Sequence, residues 1–150
     1  GKKSIELNPN NAMSYVLYAQ TTFFAGNFEE AVSLIERALR LSPYAPAWYL
    51  AWYNVALRYS GRYREALEVS LKFLERANKG EYMPEVAHYG VMINYALLGD
   101  FQKAIYHREE MHKANPSFSP IKYTKGFYSF FKNPDHINLN IEAMKKIGIL

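Results

Sequence analysis

Cysteine is absent from this chain. Disulfides, thiol nucleophiles and cysteine zinc sites are excluded with it, and a reducing compartment, expected to be the cytoplasm, suits such a sequence. Runs of about 18 apolar residues are missing, so no membrane-spanning helix is expected. Gly1-Lys2-Lys3-Ser4 leads into no apolar core, and no signal peptide is expected either. Charge is sparse: 18 basic and 14 acidic residues leave a formal +4, too dilute to imply nucleic acid by itself. There is no Gly-rich phosphate loop, no GxSxG nucleophile elbow and no EF-hand loop. His107 and His112 are not spaced i, i+4, so they do not share a helix face as a metal pair would. With Glu109 and Glu110 they read as a surface helix, Glu109 and Lys113 forming an i, i+4 pair. His88 falls at a packing position, and His136 in the first turn of a last helix beside Asp135. No catalytic residue, metal or cofactor is expected, and the chain reads as a non-enzyme.

What is plentiful is aromatic. Thirteen Tyr, 9 Phe and 2 Trp make up 16% of 150 residues. One domain of this length hides roughly two thirds of its extended surface without a covalent staple.

The rings sit within a repeat. Gly26-Asn27-Phe28-Glu29-Glu30-Ala31 recurs as Gly61-Arg62-Tyr63-Arg64-Glu65-Ala66 and as Gly99-Asp100-Phe101-Gln102-Lys103-Ala104, with the glycines 35 and 38 residues apart. A second marker keeps the same phase: Leu7-Asn8-Pro9, Leu41-Ser42-Pro43 and Asn115-Pro116. Apolar positions recur at three and four rather than two, which predicts helices near 11–25, 28–41, 46–60, 63–78, 84–98, 101–114, 120–131 and 134–147. Each glycine ends one helix. Asn27 and Asp100 stand where an N-cap oxygen is wanted, whereas Arg62 cannot cap that way. Pro43 and Pro116 stop the second helix of a pair. Pro46 and Pro84 suit first turns, and Ser119-Pro120 and Asn133-Pro134 have the cap-then-proline form of helix starts.

These residues resemble the tetratricopeptide repeat, a helix–turn–helix unit of about 34 residues. In the first copy the resemblance rests on Tyr15, Tyr18, Ala19, Thr22, Gly26, Phe28, Ala31, Ile35, Ala38 and Pro43. In the second it rests on Leu50, Tyr53, Asn54, Leu57, Gly61, Tyr63, Ala66, Ser70, Phe73 and Asn78, the closing proline being lost. In the third it rests on His88, Val91, Met92, Tyr95, Gly99, Phe101, Ala104, Arg108, Met111 and Pro116. The resemblance implies an all-α, right-handed superhelix: residues 1–10 as the end of a preceding repeat, copies at 11–43, 46–80 and 84–116, and two capping helices in 117–150. A longer parent protein is therefore expected. The tail, with Asn115-Pro116-Ser117-Phe118, Lys132-Asn133-Pro134-Asp135-His136 and Met144-Lys145-Lys146-Ile147-Gly148, resembles the C-terminal repeat region of bacterial class III adenylate/guanylate cyclases and related winged-helix regulators. That resemblance implies a regulatory or interaction module, any catalysis lying elsewhere in the parent.

In such a solenoid the first helix of each pair lines the concave side. The register puts Met13, Val16, Leu17, Gln20 and Phe23 there from the first copy, Trp48, Ala51, Trp52, Val55 and Arg58 from the second, and Val86, Tyr89, Ile93 and Ala96 from the third. The expected ligand is a protein or peptide segment with apolar anchors, held by Trp48 and Trp52 with Arg58 as a polar contact. A family variant that clamps a C-terminal carboxylate with Lys and Asn would need those residues at Val16, Gln20, Ala51, Trp52 and Gly90, so that clamp is not expected. Tyr15, Tyr18, Tyr53 and Phe28 are expected in the core, while Trp48 and Trp52 remain open to either role. Trp52 is buried if the last two helices fold back over the groove. Those helices, with Phe118, Phe127, Phe130 and Phe131, are expected to cap the stack, and Lys122, Lys125, Lys132, Lys145 and Lys146 to supply its polar outer face. Two other functions stay open: homodimerisation through the aromatic surface, and nucleic-acid binding through Arg58, Arg62, Arg64, Lys72, Arg76 and Lys79, which Glu65, Glu68 and Glu75 interrupt.

Overall fold

A computed structural model describes residues 10–150 together with Lys2. The expected end of a preceding repeat, at 1–10, falls almost wholly outside the described residues. Eight helices follow one another with no strand among the described residues: α1 Ala12–Phe24, α2 Phe28–Leu41, α3 Ala47–Tyr59, α4 Tyr63–Arg76, α5 Pro84–Leu97, α6 Phe101–Ala114, α7 Pro120–Phe127 and α8 Asn138–Lys146. Helices α1 and α2, α3 and α4, and α5 and α6 form antiparallel pairs, and α2 packs on α3 and α4 on α5. The fold is an all-α solenoid of helix–turn–helix units.

The turn inside each pair is set by the end of its first helix. Gly26, Gly61 and Gly99 have φ of 96°, 78° and 81°, a region in which a Cβ is strained. The amide after each glycine then reaches back to a carbonyl in the last helical turn: Asn27 to Thr22 at 3.0 Å, Arg62 to Leu57 at 3.0 Å and Asp100 to Tyr95 at 2.9 Å. With the glycine amides bonded to Phe23, Arg58 and Ala96, this is the Schellman arrangement. It explains how Arg62 serves in the middle turn without an N-cap oxygen. Asp100 does cap, accepting from the Lys103 amide at 3.3 Å, but Asn27 makes no side-chain cap. The turn between the second and third pairs differs. Where the closing proline is missing, the chain runs from α4 into a wide π turn, Ala77–Glu81, in which Gly80 takes φ 91°.

The tail departs from two continuous helices. Ser119 and Asn133 cap as their sequence suggests, accepting from the amides of Lys122 and Asp135. However, α7 stops at Phe127, and a short 3-10 turn at Tyr128–Phe130 leads into extended backbone at Phe131. The cause is a distant partner: the Lys132 amide donates to the Phe24 carbonyl at the end of α1, at 2.8 Å. A second 3-10 turn, Pro134–Ile137, then precedes α8. Ala143 and Met144 of helix α8, with Ile147 just past its end, are buried against Tyr89, Ile93 and Ala96 of α5 and Ala104 and Met111 of α6.

Candidate functional site: the concave face

The tail lies across the concave face. Phe127 sits 5.2 Å from Trp52 between ring centroids, and Phe131 sits 5.2 Å from Phe23 and 5.3 Å from Tyr59. Tyr123 and Phe118 approach Tyr89 at 4.9 and 6.5 Å. Phe131, almost fully buried, contributes on the order of 1.5–3 kcal/mol of transfer free energy; the half-buried Phe118, Tyr123 and Phe127 contribute less, and the edge-to-face contacts of Tyr123 and Phe118 with Tyr89 add a further increment. Phe28, at the first pair's turn, is covered in turn by His136 at 5.0 Å. Phe101, its counterpart in the third pair, has no such cover and is 43% exposed.

This placement sorts the residues expected to line a groove. Val16, Phe23, Val55, Arg58, Tyr89 and Ile93 are buried. Val16 does not face the groove at all; it packs with Tyr15, Ala38, Ala45 and Tyr49 between α1, α2 and α3. Trp48, Trp52 and Gln20 are half-buried, Trp52 among Phe23, Phe24 and Phe127. Only Met13 and Leu17 of this set stay well exposed, at 48% and 43%. They begin an i, i+4, i+7, i+11 stripe with Gln20 and Phe24 along α1, and Phe130, 73% exposed, stands 5.7 Å from the Phe24 ring. The concave face is therefore filled from Trp52 to Ile93 and open along α1.

Arg58 does not point out as a polar handle. It is 1% exposed, and its guanidinium donates from Nε to Asn94 Oδ1 (2.8 Å), from Nη1 to Tyr128 Oη (3.2 Å), and from Nη2 to Asn54 Oδ1 (3.3 Å) and the Gly90 carbonyl (3.4 Å). Asn94 passes the network on, donating to Asn54 Oδ1 at 2.6 Å and Ser70 Oγ at 3.1 Å. Beside it, Asn140 donates to Tyr89 Oη at 2.9 Å, and Tyr89 shares a short hydrogen bond with Thr124. A buried polar web thus joins α3, α4, α5, α7, the Tyr128 turn and α8. Gly90 is part of its fit, since a Cβ there would press Asn54 at 3.1 Å. Sequence reasoning missed Asn94, Thr124, Tyr128 and Asn140. The available signal was Asn54 and Asn94, lone amides inside the apolar stretches of α3 and α5.

The other expected clusters resolve differently. His107 turns inward from α6 rather than lying on a surface: its Nδ1 is 3.0 Å from His88 Nδ1 on α5, and Tyr95 stacks on it. Burial first, then the neighbouring His88, holds His107 down to about 4, and burial also lowers His88, both against a smaller opposing pull from Glu110. Lys113 pairs with Glu110 at 3.8 Å rather than with Glu109. No group of three metal-ligating side chains occurs among the described residues. In the basic cluster Arg58 is interior, Arg62 is paired with Glu65 and Glu29, Arg76 with Glu81, and Lys79 with Glu75. No described helix is long and apolar enough to cross a membrane.

No curated protein matches the chain. A family model described as tetratricopeptide repeat matches residues 1–33, which takes in α1 and the start of α2. Repeats of that family generally mediate protein–protein interaction and are typically non-catalytic. The match, together with the three helix pairs closed by the same glycine turn, supports a tetratricopeptide repeat protein.

Proposed function

We propose that this domain is a non-catalytic interaction module that docks a protein segment with apolar anchors along α1, on the part of the concave face its own tail leaves open. The observation that carries this is the stripe of Met13 and Leu17 running into exposed Phe130, continuous with the aromatic bed in which the tail lies. The same surface already holds one aromatic segment, residues 118–131, in cis. An amphipathic helix or an extended strand with spaced apolar side chains fits such a strip. The resemblance of residues 115–148 to the ends of nucleotide cyclases supports a regulatory setting, beside a catalytic or DNA-binding domain of a longer parent.

The test is photo-crosslinking from position 17, with position 40 on the exposed side of α2 as the control. A protein adduct formed from 17 and not from 40 is the expected result. Equal adducts from both positions, or none from 17, contradict the docking strip. An adduct with a second copy of the chain would instead establish homodimerisation.

A further inference from the structure

Among the described residues, no ion pair involves Arg58. Its acceptors are two amide oxygens, a phenol and a backbone carbonyl, all neutral. The surrounding phenols do not supply the missing charge. Burial pushes Tyr59, Tyr89, Tyr123 and Tyr128 up, so all four stay protonated at neutral pH. A guanidinium has five N–H groups; Nε has given one, Nη2 two and Nη1 one, so one Nη1 hydrogen is left over. A charge this deep is costly unless it is paired.

Beside it is a cavity. It measures about 40 Å³ and is walled by Arg58, Asn54, Trp48, Trp52, Tyr89 and Phe127, among others. A single water needs only about 10–15 Å³ of such space, so the cavity takes a species of a few heavy atoms and not a bulky one. Tyr59, whose phenol feels the charge of Arg58, has a buried hydroxyl that could donate and has no hydrogen-bond partner. The web is thus short of one negative charge and holds a space of one small ion's size.

We propose that the cavity beside Arg58 binds one compact monovalent anion, a halide or a small carboxylate, as the counter-ion of the buried guanidinium. A single negative charge balances the site, whereas a doubly charged anion would reverse the imbalance. The anion then links the solenoid to the tail, because Arg58 belongs to α3 and Tyr128 to the segment folded over it. This does not depend on the docking strip along α1.

The test is thermal unfolding of the whole chain at constant ionic strength, with sodium gluconate replaced stepwise by sodium chloride or by sodium formate. The expected result is a saturating rise in Tm with chloride or formate, roughly 8 °C at a hundred times Kd, and none in gluconate, which is too large to enter. Asn54→Asp keeps the Oδ1 acceptor of Arg58 and Asn94 and brings its own negative charge. It is expected to raise Tm in gluconate and to lose the chloride and formate response. Because both tryptophans line the cavity, bromide quenching of the wild-type fluorescence should saturate at a Kd matching its own effect on Tm, a readout that needs no variant. Identical curves in all three salts, or a response retained in Asn54→Asp, would overturn the proposal; in the first case the cavity holds water.

Discussion

The solenoid, residues 12–114, and the tail, residues 115–150, are ordered by different physics. In the solenoid the same local device appears three times: a glycine at positive φ, with the next amide bonded back into the helix that has just ended. Each pair closes with partners only a few residues apart. The tail is held from far away. Its path is set by the Lys132 amide on Phe24, by Phe127 and Phe131 on α1 and α3, and by Asn140 on Tyr89. Local signals define the one region, and the surface of the first region defines the other.

The difference can be broken most forcefully from the tail side. Phe131 is 6% exposed and packs against Phe23, Phe24, Tyr59 and Tyr128. Phe131→Ala should cost about 3–5 kcal/mol, read by urea unfolding. Hydrogen exchange should show residues 118–147 opening before α1–α6. Loss of protection in both regions together would mean that they form one cooperative unit.

The next comparison uses the two equivalent aromatic positions. Phe28→Ala should cost about 2–3 kcal/mol, since the tail covers that ring. Phe101→Ala should cost under about 1 kcal/mol, because its ring is 43% exposed. Equal costs would mean that the tail adds nothing to the first pair.

A smaller effect probes the local device. Gly61 has φ 78°, and nothing lies within 4 Å of the place a Cβ would take, so only backbone strain opposes a side chain there. Gly61→Ala should cost about 1–2 kcal/mol, measurable as a lower urea midpoint. A neutral result would detach the positive φ from the stability of the turn.

Close to neutrality the smallest effect is the titration of the histidine pair. His107 and His88 are both lowered, so the folded protein holds fewer protons than the unfolded chain below the ordinary histidine value of about 6.5. Stability from this pair is full above that pH and is lost as pH falls towards the folded value of about 4 for His107. His107→Asn should flatten the pH dependence between those limits. An unchanged slope would assign it to other groups.

Much of the solenoid is legible in the sequence because its determinants are local. The glycine turns and the starts of α2, α4, α5 and α6 fall where the repeat puts them. The concave face is legible only as a set of helix faces. Met13 and Leu17 are open, but Val16, one residue from Leu17, faces the core. Arg58 is the clearest case of what a sequence conceals. Arginine on the inner face of a solenoid reads as a contact for a ligand, yet its acceptors come from Asn94 and Tyr128, far along the chain. The break after Phe127 has the same origin, since Phe24 lies in the first helix. The inward turn of His107 is hidden from the sequence because its partner, His88, sits on the paired helix.

The most direct test of tail docking is amide exchange at Lys132. This residue lies outside any helix, its side chain is exposed, and its amide has a single acceptor, the carbonyl of Phe24. Only a docked tail protects it. Slow exchange at Lys132, lost in Phe131→Ala, is the predicted result. Exchange at the rate of a free peptide, with α1–α6 still protected, would mean that the tail does not lie in the groove.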